Sequence, residues 1–301
     1  MSNYLISIVG PTAIGKTRLS IALARHFDTE IISADSRQFF KEMQIGTAAP
    51  TADELEAAPH HFIHHKSITD SYNVGAFEKE AMASLEQLFK NHDTVIMVGG
   101  SGLYVDAVTK GLDEFPKVDP EIRNSLNAKL KAEGLEALQL QLKNADPKSY
   151  ATMAVDNPQR VIRALEVCIS SGTPYSDFLT SENKQRSFKT ISIGLTAERV
   201  KIYERIEARV DLMMAAGLLD EVETLLPQKH LNALQTVGYK ELFNYLEGEW
   251  DLEFAISEIK KNSRRFAKRQ LTWFKRDAST LWFDYETPQH QIIDAIESEI
   301  F

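Results

Sequence analysis

The segment SIVGPTAIGKTRLSIALARHF, residues 7–27, constrains the fold more than any other part of the chain. An apolar run, a glycine-bracketed turn and an amphipathic run follow one another without a gap. Within it Gly10–Thr17 fits the pattern GxxxxGK[ST], whose glycines let successive backbone N–H groups curl around a diphosphate at a helix N-terminus. The flanks meet the same requirement: Tyr4–Val9 reads as a buried strand, and Leu19, Ile21, Ala22, Leu23 and Ala24 give the following helix an apolar side. Gly10, Pro11, Thr12, Ala13, Ile14, Gly15, Lys16 and Thr17 are therefore expected to hold phosphates. In that geometry Lys16 is a point charge on them and the Thr17 hydroxyl is a magnesium ligand. The pattern leaves the rest of the ligand open.

Strand-like and helix-like segments alternate through residue 115 or so. EIISA (30–34), HHFIHH (60–65) and TVIMVGG (94–100) read as strands, and a helix is expected from about Val74 to Asn91. Such alternation predicts an α/β fold, a P-loop NTPase-like parallel sheet flanked by helices. From 118 to 187 the pattern turns helical and charged, which predicts a helical insertion domain between core segments 1–117 and 188–301. A strand at 190–196, long helices at about 197–226 and 251–276, and a closing apolar stretch at 280–285 complete the expected order.

A 301-residue chain that is 43% hydrophobic has enough apolar material for a sizeable core. Its one cysteine, Cys168, excludes an internal disulfide and a multi-cysteine zinc module, and reads as a small buried apolar residue. No stretch reaches the ~20 apolar residues of a membrane span, and the start of the chain shows no basic n-region or cleavage site. A cytoplasmic protein without a membrane partner is expected. The formal charge of −9 argues against a nucleic-acid partner until its distribution is considered. Residues 259–276 carry eight Lys and Arg and no Asp or Glu, with Lys261, Arg264, Arg265 and Lys268 at helical spacing. That stripe is either a solvated face or a polyanion contact, and Phe266, Gln270 and Trp273 mark a neighbouring stripe directed at the core.

EIISA ends in Asp35, which places a carboxylate at the C-terminal edge of a parallel sheet beside the P-loop, where open α/β sheets bind ligands. A helix N-cap is the other role open to it. TVIMV ends in Gly99-Gly100-Ser101-Gly102, so glycine stands where nucleotide-hydrolysing P-loop machines commonly carry an acid, and Ser101 supplies a hydroxyl. His60, His61, His64 and His65 lie in one apparent strand whose alternate faces would separate them, which favours edge histidines over a metal site. In DNPQRVIRALEV, Arg160 and Arg163 share a face near a helix start, suited to a phosphate or a base. Glu166 offers Arg163 a local ion pair instead. QTVGYKEL, residues 235–242, combines a flexible glycine, an aromatic platform and a cation.

Together GPTAIGKT, ISADSRQ, IGTAAPT, APHHFI, VGGSGLY, DPEIR, DNPQRVIRALEV, VGYKEL and AKRQLTWF resemble the bacterial tRNA dimethylallyltransferases over about nine tenths of the chain. The resemblance implies transfer of a dimethylallyl group from dimethylallyl diphosphate to N6 of the adenosine 3′-adjacent to the anticodon, in tRNAs that read codons beginning with U. It implies that Gly10–Thr17 hold the diphosphate with Mg²⁺ and that Asp35 is the base at N6, with Ser101 beside it. Asp35, Ser36, Arg37, Gln38 and Ser101 then face tRNA, as do Arg123 and the segment Gln159, Arg160, Val161, Ile162 and Arg163. The insertion would close over the tRNA anticodon arm, with the protein acting as a monomer.

Ser101 stands where the family usually has threonine, Ala49 where it has lysine, and Arg37 where methionine or alanine is common; Glu42 and Gln44 replace a commoner Gly and Asp. The single cysteine is at odds with the zinc-finger extension of eukaryotic relatives. A small-molecule P-loop kinase shares the loop and the Asp after the second strand, but the charged insertion and acid-free basic helix exceed what a small acceptor requires. A non-catalytic RNA-binding module would not require Asp35 to face the phosphate site.

Overall fold

Near-continuous Ile, Val and Leu runs mark the strands, as expected where a parallel sheet is covered on both faces. A computed structural model describes residues 3–180 and 184–300; Met1, Ser2, residues 181–183 and Phe301, within the expected core and insertion segments, lie outside the described residues. The strands are β1 (Asn3–Val9), β2 (Ile31–Ser33), β3 (His60–His61), β4 (Thr94–Val98), β5 (Phe188–Thr196) and β6 (Leu281–Asp284). They form one sheet in the order β3-β2-β4-β1-β5-β6, and every pairing is parallel. The stretch at 280–285 thus supplies the edge strand β6.

Side chains alternate across β1 and feed two cores. Ile6 and Ile8 pack with Leu19 and Leu23 of the P-loop helix, Lys16–His26, while Leu5 and Val9 pack with Phe77 and Leu85 of the helix Val74–Leu88. Because the sheet is parallel, the ends of β1, β2 and β4 bring Gly10, Asp35 and Gly100 to the same edge. A third core gathers Met43, Val210, Leu218, Tyr239 and Ile259 among the C-terminal helices.

Two expectations are corrected. HHFIHH is strand only at His60–His61, because Phe62 and His64 adopt left-handed backbone conformations, φ 65° and 47°. The helix expected over 197–226 is two, Arg199–Ala215 and Leu218–Leu225, broken where Gly217 takes φ 97°. The long C-terminal helix runs Leu252–Phe274, started by Asp251, whose carboxylate accepts the Phe254 amide at 2.7 Å.

The chain divides into two compact units, Met1–Lys110 with Arg186–Phe301, and Gly111–Gln185. In the second, Asp119, Asp146 and Asn157 cap the helices Pro120–Glu133, Pro147–Thr152 and Pro158–Ser171, each with proline at the first turn. Leu126, Leu138, Leu142, Val161, Ile162 and Leu165 form its core, each buried side chain contributing about 1.5–3 kcal/mol.

Candidate active site

The P-loop leaves β1 at Gly10 and enters its helix at Gly15, whose φ of 105° favours a residue without a Cβ. Lys16 Nζ donates to the carbonyls of Gly10 (3.1 Å) and Pro11 (2.8 Å). Burial pushes its pKa down to about 8, Arg209 pushes the same way, and Asp35 pulls it back. An anion in the loop would favour the charged form and raise the pKa again.

Three side chains from distant helices hold the loop. Gln270 accepts from the Thr12 amide (2.8 Å) and donates to the Gly100 carbonyl (2.9 Å), linking the P-loop to the turn after β4. Arg209 donates to the Thr12 hydroxyl, and Arg205 Nε donates to the Ala13 carbonyl at 2.8 Å. Burial lowers the Arg209 pKa, and the nearby Asp35 opposes that shift. Sequence reasoning missed both arginines; their four-residue spacing on one helix face was the available signal. It placed Gln270 toward the core, where it is buried, without finding its two bonds.

Asp35 caps a turn rather than a helix: residues 36–39 form a turn, and the Asp35 carboxylate accepts the Arg37 amide at 3.1 Å. Ser101 Oγ accepts the Ser36 amide at 3.0 Å and donates to the Ser36 hydroxyl at 3.1 Å. Gln38 is engaged internally, its amide donating to the carbonyls of Thr47 (3.3 Å) and Ala48 (3.0 Å). Burial lowers the Arg37 pKa.

Two cavities meet here. The larger, about 760 Å³, is lined by Gly15, Lys16, Thr17 and the loop Thr47–Thr51; the smaller, about 340 Å³, by Ser36, Arg37, Ser101 and Trp273, with an apolar recess of Ile206, Val210 and Val237. Asp35, Thr12, Arg209, Phe266 and Gln270 line both. Asp35 therefore stands between the P-loop end and a mixed polar and apolar end.

Comparison with known proteins fixes the family. The profile described as IPP transferase matches residues 38–277. The chain belongs to the IPP transferase family. It is 61% identical over 300 residues to the tRNA dimethylallyltransferase of Christiangramia forsetii, spanning 100% of this chain and 99% of that one. Among solved structures it is similar to the full-length tRNA isopentenylpyrophosphate transferase of Bacillus halodurans, with TM-score 0.72 and 39% identity, over 99% of this chain and 95% of that one. It is also similar to a eukaryotic dimethylallyltransferase acting on tRNA, with TM-score 0.83 and 26% identity, over 99% of this chain and 79% of that one.

Other expected positions in this IPP transferase divide into accessible and committed groups. In the helical unit Glu166, buried, holds two arginines: Arg163 at 2.7 Å and Arg123 at 2.9 Å, while Arg123 also donates to Gln159 at 3.1 Å. The local ion pair is thus formed, yet both arginine side chains stay about 40% exposed. Arg160 is exposed and makes no ion pair among the described residues. Val161 and Ile162, expected to contact tRNA, are fully buried in the core of that unit, so their side chains are withdrawn from any partner.

The basic helix is partly neutralised: Lys260 pairs with Asp211 at 2.6 Å, Arg264 with Glu207 and Lys261 with Glu258. Its composition hid this, because two of these acids come from the helix Arg199–Ala215. Arg265, Lys268, Arg269 and Arg276 make no ion pair among the described residues. Tyr239 is no aromatic platform; it is fully buried. No group of three His, Cys, Asp or Glu fit to hold a metal occurs among the described residues, and His61 instead meets Glu30 at 2.6 Å. No helix among them is long and apolar enough to cross a membrane.

Proposed function

We propose that this IPP transferase moves a dimethylallyl group from dimethylallyl diphosphate to N6 of the adenosine 3′-adjacent to the anticodon, in tRNAs reading codons that begin with U. The observation that carries the reading is the position of Asp35 on the wall shared by the P-loop cavity and the cavity of Ser36, Arg37 and Ser101. In this reading N6 attacks the allylic C1, the C1–O bond breaks, diphosphate departs, and the N6 proton passes to the Asp35 carboxylate. Lys16 and Arg209 meet the charge that grows on the leaving group. The adenosine leaves its stack to reach Asp35, at a cost of a few kcal/mol that contacts with the tRNA offset.

Thr17, in the first turn of the P-loop helix, lines the same cavity as Asp35, and its hydroxyl would hold a magnesium ion, which needs few protein ligands. Magnesium bound there supplies positive charge to the leaving group. Gln159, Arg160, Arg163 and Arg123 suit phosphates of the anticodon arm, and the unit Gly111–Gln185 closes over that arm. A cytoplasmic monomer suits a substrate of this kind.

A small-molecule kinase is disfavoured by kinship with enzymes named for tRNA dimethylallyl transfer. The test is incubation with dimethylallyl diphosphate, or with ATP, and bulk tRNA, followed by mass analysis of nucleosides. A C5 unit on adenosine supports the reading; ATP turnover without that product overturns it.

A further inference from the structure

Glu221 lies on the helix Leu218–Leu225 and lines neither cavity, yet its carboxylate is the meeting point of four donors. Oε2 accepts the amides of Gln44 (3.0 Å) and Ile45 (2.7 Å), and Oε1 accepts the Gly46 amide (3.0 Å) and the Tyr239 hydroxyl (2.6 Å). The loop also rests on the Tyr239 ring, since a Cβ at Gly46 would lie 2.5 Å from it. Three consecutive amides converge on one point only if an acceptor sits there. Glutamine is a poor substitute, because one of its two terminal groups is itself a donor.

Beyond this anchor the loop becomes cavity wall. Thr47, Ala48, Ala49, Pro50 and Thr51 line the larger cavity together with Lys16 and Thr17, and they carry no helix or strand. An irregular segment of this kind takes its place from the side chains that bond it. Gln38 holds it at the carbonyls of Thr47 and Ala48, and Glu221 holds its start.

We propose that Glu221, with Tyr239, is a positioning residue for the allylic diphosphate, setting the loop wall that faces the donor. The inference rests on the reading of the larger cavity as the donor site. The carboxylate touches no reacting atom, so its loss acts on donor binding and spares the chemical step.

The experiment uses the full chain with Glu221→Gln, Glu221→Asp and Tyr239→Phe. It measures Kd for inorganic diphosphate with Mg²⁺, KM and kcat with dimethylallyl diphosphate and tRNA, tRNA affinity, and Tm. E221Q is expected to raise Kd and KM about tenfold or more, as displaced binding groups do. Turnover and tRNA affinity stay within about threefold of wild type. E221D recovers part of the loss, and Y239F shifts Kd the same way by less. A lowered Tm with wild-type Kd and KM reduces Glu221 to a structural residue and overturns the proposal. If E221Q does not fold, Y239F decides, and an unchanged Kd there overturns it. Wild-type protein that binds diphosphate but transfers nothing overturns the transfer reading alone and leaves the Kd comparison to judge Glu221. Wild-type protein that binds no diphosphate overturns both.

Discussion

Ser101 and Ser36 are joined twice, the Ser101 hydroxyl accepting the Ser36 amide at 3.0 Å and donating to its hydroxyl at 3.1 Å. The turn after β4 thereby fixes the turn after β2, one residue beyond Asp35.

Loss of that link should loosen the proposed base without touching the donor. Ser101→Ala is expected to lower kcat about 10- to 100-fold, the scale of a misplaced reacting group, while the KM for dimethylallyl diphosphate stays near wild type. Ser101→Thr keeps the hydroxyl and should restore most of the rate. Steady-state kinetics on the three proteins decide it; equal loss in S101A and S101T would show that the hydroxyl is not what matters.

The contrast between Asp35 and Arg209 shows what the sequence made legible. Asp35 was readable because a strand end beside a P-loop is a local pattern, and so were the sheet, the P-loop and the helical character of the insertion. Arg209 reaches Thr12 across 197 residues of chain, and Gln270 bridges Thr12 to Gly100 from further still. No local period encodes such contacts. The same blindness made the basic helix look free of acids, when Glu207 and Asp211 pair with it from another helix. It also made Tyr239 look like a platform, because a buried aromatic and an exposed one share the same short motif.

Lys16 gives a pH dependence with a definite sign. Its pKa is pushed down to about 8, so below that pH it is already charged and donor affinity should be flat. Above it, binding an anion must first recharge the lysine, and affinity falls by up to about tenfold per pH unit until the pKa of the complex is reached. Folding runs the opposite way. The unfolded chain binds more protons than the folded one between pH 8 and the ordinary lysine value of 10.5, so this group adds stability as pH rises through that window. Calorimetric titration with inorganic diphosphate and Mg²⁺ at pH 7, 8, 9 and 10 tests the binding arm. Lys16→Met should bind weakly with a flat profile, and a wild-type affinity that does not fall above pH 8 contradicts the assignment.

Arg160 is exposed and without an ion pair among the described residues, unlike Arg163 and Arg123, which share Glu166. Arg160→Ala should weaken tRNA binding about equally for different tRNAs and reduce the slope of log K against log[salt] by about one unit. Donor affinity should not change. Filter binding across a salt series measures both quantities, and an unchanged slope with unchanged affinity removes Arg160 from the interface.

Asp35 carries the sharpest expectation because it stands where both cavities meet. Adenine N6 is a weak nucleophile, its lone pair delocalised into the ring, so acceptance of its proton as the new C–N bond forms lowers the barrier. Asparagine keeps the shape, and its carbonyl oxygen can still accept the Arg37 amide now held at 3.1 Å, so the turn should survive the change. What is lost is the proton acceptor. Asp35→Asn should therefore reduce kcat by about 10²- to 10⁴-fold, with diphosphate and tRNA affinities and Tm close to wild type. Single-turnover rates at saturating substrates isolate the chemical step. Turnover near the wild-type rate would leave Asp35 as a turn cap and return the search for the base to the other groups of the smaller cavity.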